Sequence, residues 1–524
     1  MREKRQSMGP PSAFESLRLE AAPLRAAVPA WHARAGVERL REIAVGVAAK
    51  GGRLAALWGA DERDRGEGFA LHLALVVDDA TLWLAVPLPA ERPEYPDLAD
   101  VFACANRMQR AAYDLVGIRS TAPDQRPWLR HAAWPPDVYP LRRDFGLDNW
   151  YGNDIEQYRF VQVAGDGVHE IPVGPVHAGT IEPGHFRFSI VGEKVLRLEE
   201  RLGYTHKAVE KLFEGRDRVA GGMLAGRVSG DSTVAYAWAY AMAVEGLAGV
   251  APPARALWLR ALALERERVA NHLGDLGYLG NDGGLAFGLA QFMRLKEEWL
   301  RLNGTLFGHR YLMDFVIPGG VERNVGRHGC DEVAAQCARL ALEVQTLRDV
   351  YDDHAGLQDR FLTCGQLAPE LARQFGVVGL AARASGLTLD ARVAPGFEPY
   401  DRLGVAIQTH GAGDVAARAA VRFDEIFESL RLLQAIVEGM PLGEVATPFN
   451  TLGGPGRGLG RVEGWRGEVL VALEADDGLI RRCHAHDPSW QNWPALEHAV
   501  LGNIVPDFPL INKSFNLSYS GHDL

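Results

Sequence analysis

Residues 227–251 read R-V-S-G-D-S-T-V-A-Y-A-W-A-Y-A-M-A-V-E-G-L-A-G-V-A, a short polar head followed by a long apolar run. From Val234 to Ala251 the run has 18 residues and a single charge, Glu245. A bilayer-spanning helix needs about 20 apolar residues, and the small side chains and the glutamate weaken that reading further. The run therefore predicts a helix buried in a protein core. Serine and aspartate in its head are good N-cap residues, able to take backbone N–H groups that lack partners inside the helix.

Long helical patterns continue from this point, over 231–249, 252–276, 284–306, 328–357 and 411–438. In 252–276, Leu257, Ala261, Leu264, Arg268, Asn271 and His272 fall near one another on one side, with Glu265 three residues before Arg268. The stretch Phe186 to Leu198, turning at Gly192, reads as strand, and the glycine-rich Gly453–Gly460 precedes a strand pair over 460–468 and 470–475. Upstream the pattern is mixed. Val37 to Ala49 has helical spacing, Ala70 to Leu88 reads as a hairpin turning at Asp78-Asp79, and a helix follows over about 96–116. The segment Trp134 to Pro140 breaks any helix, and 146–168 is polar and glycine-containing. The predicted organisation is a poorly ordered N-terminal arm (1–36), a small α/β domain (37–145), a linker (146–169) and a large, mainly helical domain (170–524). The fold class is α+β.

A length of 524 residues suits two or three domains. A net charge of -11 argues against a broad nucleic-acid surface, which needs basic groups to displace counterions. The N-terminus shows no apolar signal-peptide core, and the five cysteines (104, 330, 337, 364, 483) form no Cys-x-x-Cys pair. Those features fit reduced thiols in a cytoplasmic setting, with any membrane association arising through partners.

Three clusters carry candidate chemistry. The loop Gly174-Pro-Val-His177-Ala-Gly-Thr-Ile-Glu182-Pro-Gly-His185-Phe-Arg187 concentrates two histidines and a glutamate between glycines and prolines. Such tips can relay protons, or simply satisfy neighbouring backbone. Ser229-Gly-Asp231-Ser232 offers hydroxyls and one carboxylate, poor donors for a soft metal. The C-terminal run from Asn503 to Leu524 reads as an extended tail docked on its own domain, with His522 near a solvated end. Gly453–Gly460 lacks the Gly-Lys-Ser/Thr ending of a phosphate loop and reads as a close-packed turn. Cys483-His484-Ala-His486 has no second ligand pair, so zinc is rejected there.

Residues 170–216, Arg227–Thr233, Ala239–Glu245, Leu264–Leu276, Gly319–Arg323 and the tail from Asn503 resemble, in that order, the large subunits of formate hydrogenlyase and hydrogenase-4. That family, the group 4 [NiFe] hydrogenases, is related to the quinone-site large subunit of complex I. Arg110–Ile118 and Tyr139–Phe145 look like the end of the smaller complex I companion subunit, which formate hydrogenlyase carries as an N-terminal fusion. The resemblance implies a hydrogenase-like subunit whose four nickel–iron cysteine positions read Ser229, Ser232, Ser518 and Gly521 instead. It aligns Glu182 with the glutamate that passes protons to and from the hydrogenase metal, and Gly230 with the quinone-binding tyrosine of complex I.

The expectation is accordingly a metal-free large subunit of a complex I-like, energy-converting membrane oxidoreductase. It would bind no cofactor directly, dock an iron–sulfur small subunit and antiporter-like membrane subunits, and sit peripherally on the cytoplasmic side of the inner membrane. Glu182, His177, His185, Asp231 and Glu265 are expected to line the vestigial cavity and serve proton transfer; a quinone role stays open. Two alternatives are a noncatalytic scaffold for the iron–sulfur subunit and a quinone or small-molecule reductase subunit.

Overall fold

The hairpin at Asp78-Asp79 seeds the N-terminal sheet. Both residues take positive φ (46° and 67°), the two-residue turn whose twist matches that of the flanking strands. A computed structural model of the chain describes residues 12–148, 151–152, 154, 157–178, 181–448 and 455–524. In it strands β1 (Ala22–Pro23), β2 (Ala30–Arg34), β3 (Arg53–Asp61), β4 (Phe69–Val77) and β5 (Ala80–Leu88) form one sheet in the order β1-β2-β5-β4-β3. β2 runs parallel to β5, and the other neighbours are antiparallel. Helix α1 (Leu40–Ala49) buries Leu40, Ile43, Ala44 and Val47. Two short strands, β6 (Glu94–Tyr95) and β7 (Arg119–Ser120), flank helix α2 (Ala105–Val116).

Two expectations change here. Residues 22–34, read as part of an arm, supply β1 and β2, because Ala30, Trp31 and Ala33 are buried where β2 pairs with β5. The first 11 residues of that arm lie outside the described residues. The helix expected from 96 begins only at Ala105. Asp97 turns its carboxylate onto the Ala99 N–H at 2.9 Å, a side-chain turn that competes with helix.

The second region opens with an antiparallel sheet of β8 (Val168–Val173), β9 (His185–Val191) and β10 (Lys194–Arg201), turning at Gly192. The helical body follows as α3 (Thr233–Ala248), α4 (Ala254–Asp282), α5 (Ala286–Phe307), α6 (Arg327–Asp353) and α7 (Val415–Gly439). A two-residue strand pair, β11 (Val316–Ile317) and β12 (Gly320–Val321), lies within it. Helix α3 is buried from Thr233 through Glu245, and among the described residues no helix is long and apolar enough to cross a membrane. Strands β13 (Gly456–Glu463), β14 (Glu468–Asp476) and β15 (Leu479–His486) form the last sheet. Two of these strands are expected from their own residues; β15 is not. His484 and His486 lie on β15, bonded to Glu210 (2.8 Å) and Gln491 (3.1 Å).

The glycine-rich stretch is a strand packed on a helix backbone; its first two glycines lie outside the described residues. A Cβ at Gly458 would sit 2.0 Å from the Ala243 carbonyl oxygen, and one at Gly460 1.8 Å from that of Ala239. Only glycine lets β13 lie this close to α3.

The tail is not extended. After α8 (Ser489–Ala499) it folds into α9 (Phe508–Phe515) and α10 (Tyr519–Asp523), separated by Asn516 at φ 46°. Pro509 suits the first turn of α9, and Phe508, Leu510, Ile511 and Phe515 are buried. His522, expected near solvent, is fully buried, stacked on Trp490 at 4.0 Å and bonded to Asp523 at 2.8 Å. Burial of the apolar face outweighs the local turn-forming composition.

Gly460→Ala is expected to destabilise the chain by about 3 kcal/mol, the scale of overpacking a closed core. Denaturant unfolding checks it: a shift below about 1 kcal/mol would show that β13 and α3 separate easily.

Candidate functional site

The head of α3 places the site. Ser229 is extended, Gly230–Ser232 make one tight helical turn, and α3 then begins at Thr233. The expected capping by serine and aspartate does not occur. Glu267 of α4 takes that role, accepting the Val234 N–H at 2.7 Å and the Ala235 N–H at 3.3 Å. This leaves Ser229, Asp231 and Ser232 turned toward one another and toward Ser518, in a polar site filled by their own hydrogen bonds. Burial, with a contribution from nearby Asp231, pushes the Glu267 carboxyl up to about 8 against the two amides that favour its charge.

The four positions that replace the family's cysteines meet at this site. The hydroxyls of Ser229 and Ser518 share a hydrogen bond of 2.9 Å, and the Ser518 hydroxyl accepts the Gly521 N–H at 2.9 Å. Asp231 Oδ1 accepts from the Ser229 hydroxyl at 2.9 Å and from the Ser232 hydroxyl at 3.3 Å. The Asp231 carboxylate is held by Arg466 through two parallel bonds of 2.7 and 2.5 Å. Arg466 also donates to Ser232 Oγ (3.2 Å) and to the Asn516 carbonyl (2.6 Å), and it stacks on Trp465 at 4.0 Å. The Asp231 main-chain carbonyl accepts from Trp465 (2.9 Å) and Asn271 (2.8 Å). Burial alone would favour a neutral Asp231. Arg466 and the two serine hydroxyls reverse that and hold the carboxyl at about 2.

Arg466 and Trp465 escaped the sequence reading. They sit at the tip of the β13–β14 hairpin, closed by mutual Gly464–Gly467 backbone bonds of 2.9 and 3.2 Å. The tip presses on Gly379, where a Cβ would lie 1.9 Å from the Arg466 carbonyl oxygen. Nothing local in the segment G-W-R-G announces a partner more than 200 residues away.

These residues do not fit a nickel–iron centre. Soft metals of that kind need thiolates, and hydroxyl oxygens at 229, 232 and 518 are not substitutes. At position 521 any side chain is excluded, since a Cβ there would lie 2.4 Å from Asp487 Oδ2. Asp487 is itself fixed by the Tyr236 hydroxyl (2.6 Å) and the Ser489 N–H (2.8 Å). Among the described residues no group of three or more histidines, cysteines or carboxylates could hold a metal ion.

The remaining predicted residues divide. Glu182 is exposed at the rim and accepts the Ser520 N–H at 3.1 Å, so it touches the same C-terminal turn as Ser518. His177 and His185 bind the backbone of their own loop, to the Gly184 carbonyl (2.8 Å) and the Gly174 carbonyl (3.0 Å). Glu265 does not line the site. It is fully buried and bonded to Arg392 (3.1 and 3.2 Å), Tyr400 (2.6 Å) and Ser429 (2.7 Å). Two residues along a helix is a turn of about 200°, so Glu267 faces the site and Glu265 faces away.

A helical body with a fused N-terminal α/β domain, and a polar site where the head of α3 meets the C-terminal turn, define the type of large subunit shared by group 4 hydrogenases and complex I. Residues 282–452 match the family described as respiratory-chain NADH dehydrogenase, 49 Kd subunit, and residues 33–150 match the 30 Kd subunit. Formate hydrogenlyase subunit 5 of Escherichia coli (strain K12) is 31% identical over 487 residues, covering 90% of this chain and 85% of the relative. Hydrogenase-4 component G of the same organism is 31% identical over 483 residues, with 90% and 84% coverage. The C/D protein of the NADH-quinone oxidoreductase of Phocaeicola vulgatus is 27% identical over 450 residues, with 80% and 85% coverage. Among solved structures, one of the membrane-bound sulfane sulfur reductase, an archaeal respiratory membrane complex, contains a chain with a TM-score of 0.65 at 24% identity. The match covers 69% of this chain and all of that one, and it supports the fold. The chain belongs to the family of formate hydrogenlyase and hydrogenase-4 large subunits, related to the NADH-quinone oxidoreductase C/D fusion, and is an oxidoreductase subunit of that type.

Arg466→Gln removes the partner of Asp231. Because Asp231 keeps 38% of its side-chain surface exposed, the cost is expected at about 1–3 kcal/mol, below that of a fully buried pair. The stabilisation from Asp231 is present above its unfolded value of 3.8 and is lost as pH falls toward about 2. Unfolding measured across that window should show parent and variant converging at the acid end; a constant gap would remove Asp231 from the account.

Proposed function

We propose that the chain is a metal-free large subunit of a complex I-like, energy-converting membrane oxidoreductase. It docks an iron–sulfur small subunit and antiporter-like membrane subunits on the cytoplasmic face, and it couples electron transfer on its partners to proton or ion movement. It binds no cofactor of its own; the iron–sulfur clusters belong to the small subunit. The observation that carries this reading is the Asp231–Arg466 ion pair, closed over by Ser229, Ser232 and Ser518 at the positions of the family's metal ligands. One carboxylate and one guanidinium neutralise each other there, so the site needs no ion from outside.

Polar groups nevertheless persist in line. From the rim, Ser520 Oγ lies 3.5 Å from Ser518 Oγ, which lies 2.9 Å from Ser229 Oγ, which bonds Asp231 at 2.9 Å. Hydroxyls can pass protons by rotating between donor and acceptor roles. Glu182 stands at the outer end of this run, although its present bond is to the Ser520 amide and not to the hydroxyl. His177 and His185 support the path by holding the loop that carries Glu182.

Two measurements test the reading. The chain purified with its partners is expected to carry iron but no stoichiometric nickel, and nickel at one equivalent by elemental analysis overturns it. Glu182→Gln is expected to lower ion translocation in sealed vesicles several-fold while leaving complex assembly intact. Unchanged translocation would leave the scaffold role as the better account.

A further inference from the structure

Behind the site, on the far side of α4, lies a second buried polar system. Four carboxylates (Glu265, Asp390, Glu425 and Glu463) and three guanidiniums (Arg268, Arg383 and Arg392) occupy it together with His272, all of them buried at 3% exposure or less. Arg392 binds Asp390 (2.6 and 3.0 Å) and Glu265 (3.1 Å). Arg383 binds Glu425 (2.7 Å) and Glu463 (2.8 Å). Arg268 lies 3.4 Å from both Glu265 and Glu425 and donates to the main-chain carbonyls of Glu463 and Gly464. Counted by themselves, with every acid ionised and the imidazole neutral, these groups carry one more negative than positive charge in a low-dielectric interior; Arg53, the further cation that acts on Glu463, is bonded to Glu468 at 2.6 Å, which Arg461 also binds at 2.8 Å. A surplus of that kind is costly, and the usual resolution is to bind a proton.

Geometry selects the seat. His272 Nε2 bonds Glu425 at 2.8 Å, but its Nδ1 is buried without a hydrogen-bond partner. An imidazolium there would strand a charged N–H, so the neutral ring with its proton on Nε2 is the satisfied form. Glu425 is held by His272, Arg383 and Arg268, and Glu265 by Arg392, Tyr400 and Ser429. Asp390 has the doubly bonded Arg392. Glu463 is the least supported of the four, with one guanidinium N–H on Oε1 and the Ala391 amide on Oε2 at 3.1 Å.

We infer that Glu463 is a proton-binding site, neutral at physiological pH, enclosed between β13, α4 and the 383–392 segment. Burial and the neighbouring Asp390 both push its carboxyl up, against Arg383 and Arg268, whereas Arg392, with Arg383 and Arg268, outweighs burial and holds Asp390 down. Burial also lowers His272, in keeping with a neutral ring. Glu463 stands three residues before Arg466 on the same hairpin, so releasing its proton would add a negative charge to the element that carries the partner of Asp231. Proton binding here follows from the cluster and does not depend on the assembly in which the chain works.

The test is infrared difference spectroscopy at neutral pH on the full chain, Glu463→Gln minus parent. The expected result is loss of one protonated-carboxyl band with no loss from the carboxylate region. Loss of a carboxylate band would overturn the assignment. Thermal melting gives a second reading, since glutamine mimics the neutral acid. Glu463→Gln should melt close to the parent, whereas Glu425→Gln, which removes an ionised partner of Arg383, should melt markedly earlier. A Glu463→Gln variant as damaged as Glu425→Gln would show that position 463 is charged.

Discussion

The Asp231–Arg466 ion pair is the interaction on which the rest of this site depends. It joins the head of α3 to the tip of the β13–β14 hairpin, and through Asn516 it ties both to the C-terminal helices. Several thiolates gathered at one point carry a surplus of negative charge that a bound cation balances. Here a single bidentate pair balances itself, and two serine hydroxyls add bonds to Asp231 Oδ1. The close approach of Asp487 to Gly521 closes the fourth corner.

That pair could not form unless β13 lay directly on α3. Gly458 and Gly460 bring the strand against the Ala239 and Ala243 carbonyls, and the hairpin tip then reaches the start of the same helix. The alanine-rich face of α3, which reads as weakly hydrophobic, is small because another backbone must pass over it. Shape complementarity of this kind transmits position over several turns with little freedom, since both partners are close-packed.

Helix α4 separates two polar systems by its own periodicity. Glu267 and Asn271 turn toward the head of α3, while Glu265, Arg268 and His272 turn into the carboxylate–guanidinium cluster. The two systems meet at the hairpin tip, where Arg268 donates to the Gly464 carbonyl at 3.1 Å and the His272 ring lies edge-on to Trp465 at 6.1 Å. Burying this many charges gives little net stability, but each must be matched, which restricts the packing to one arrangement.

The helices with strong periodicity, the hairpin at Asp78-Asp79, the replaced ligand positions and the family they belong to are all legible in the amino-acid sequence. Those features are local: a turn, a helical repeat or a motif is written in consecutive residues. A reading of consecutive residues misses β1 and β2, the tail helices and the environment of His522, because each is stabilised by burial against distant segments rather than by its own propensity. Folding alone brings Arg466 onto Asp231, turns Glu267 rather than Glu265 toward the head of α3, and sets Glu463 among three other buried carboxylates. Each of those outcomes is a pairing across about 30 to 240 residues of chain, and electrostatic balance in a buried space is a property of everything that folds around it.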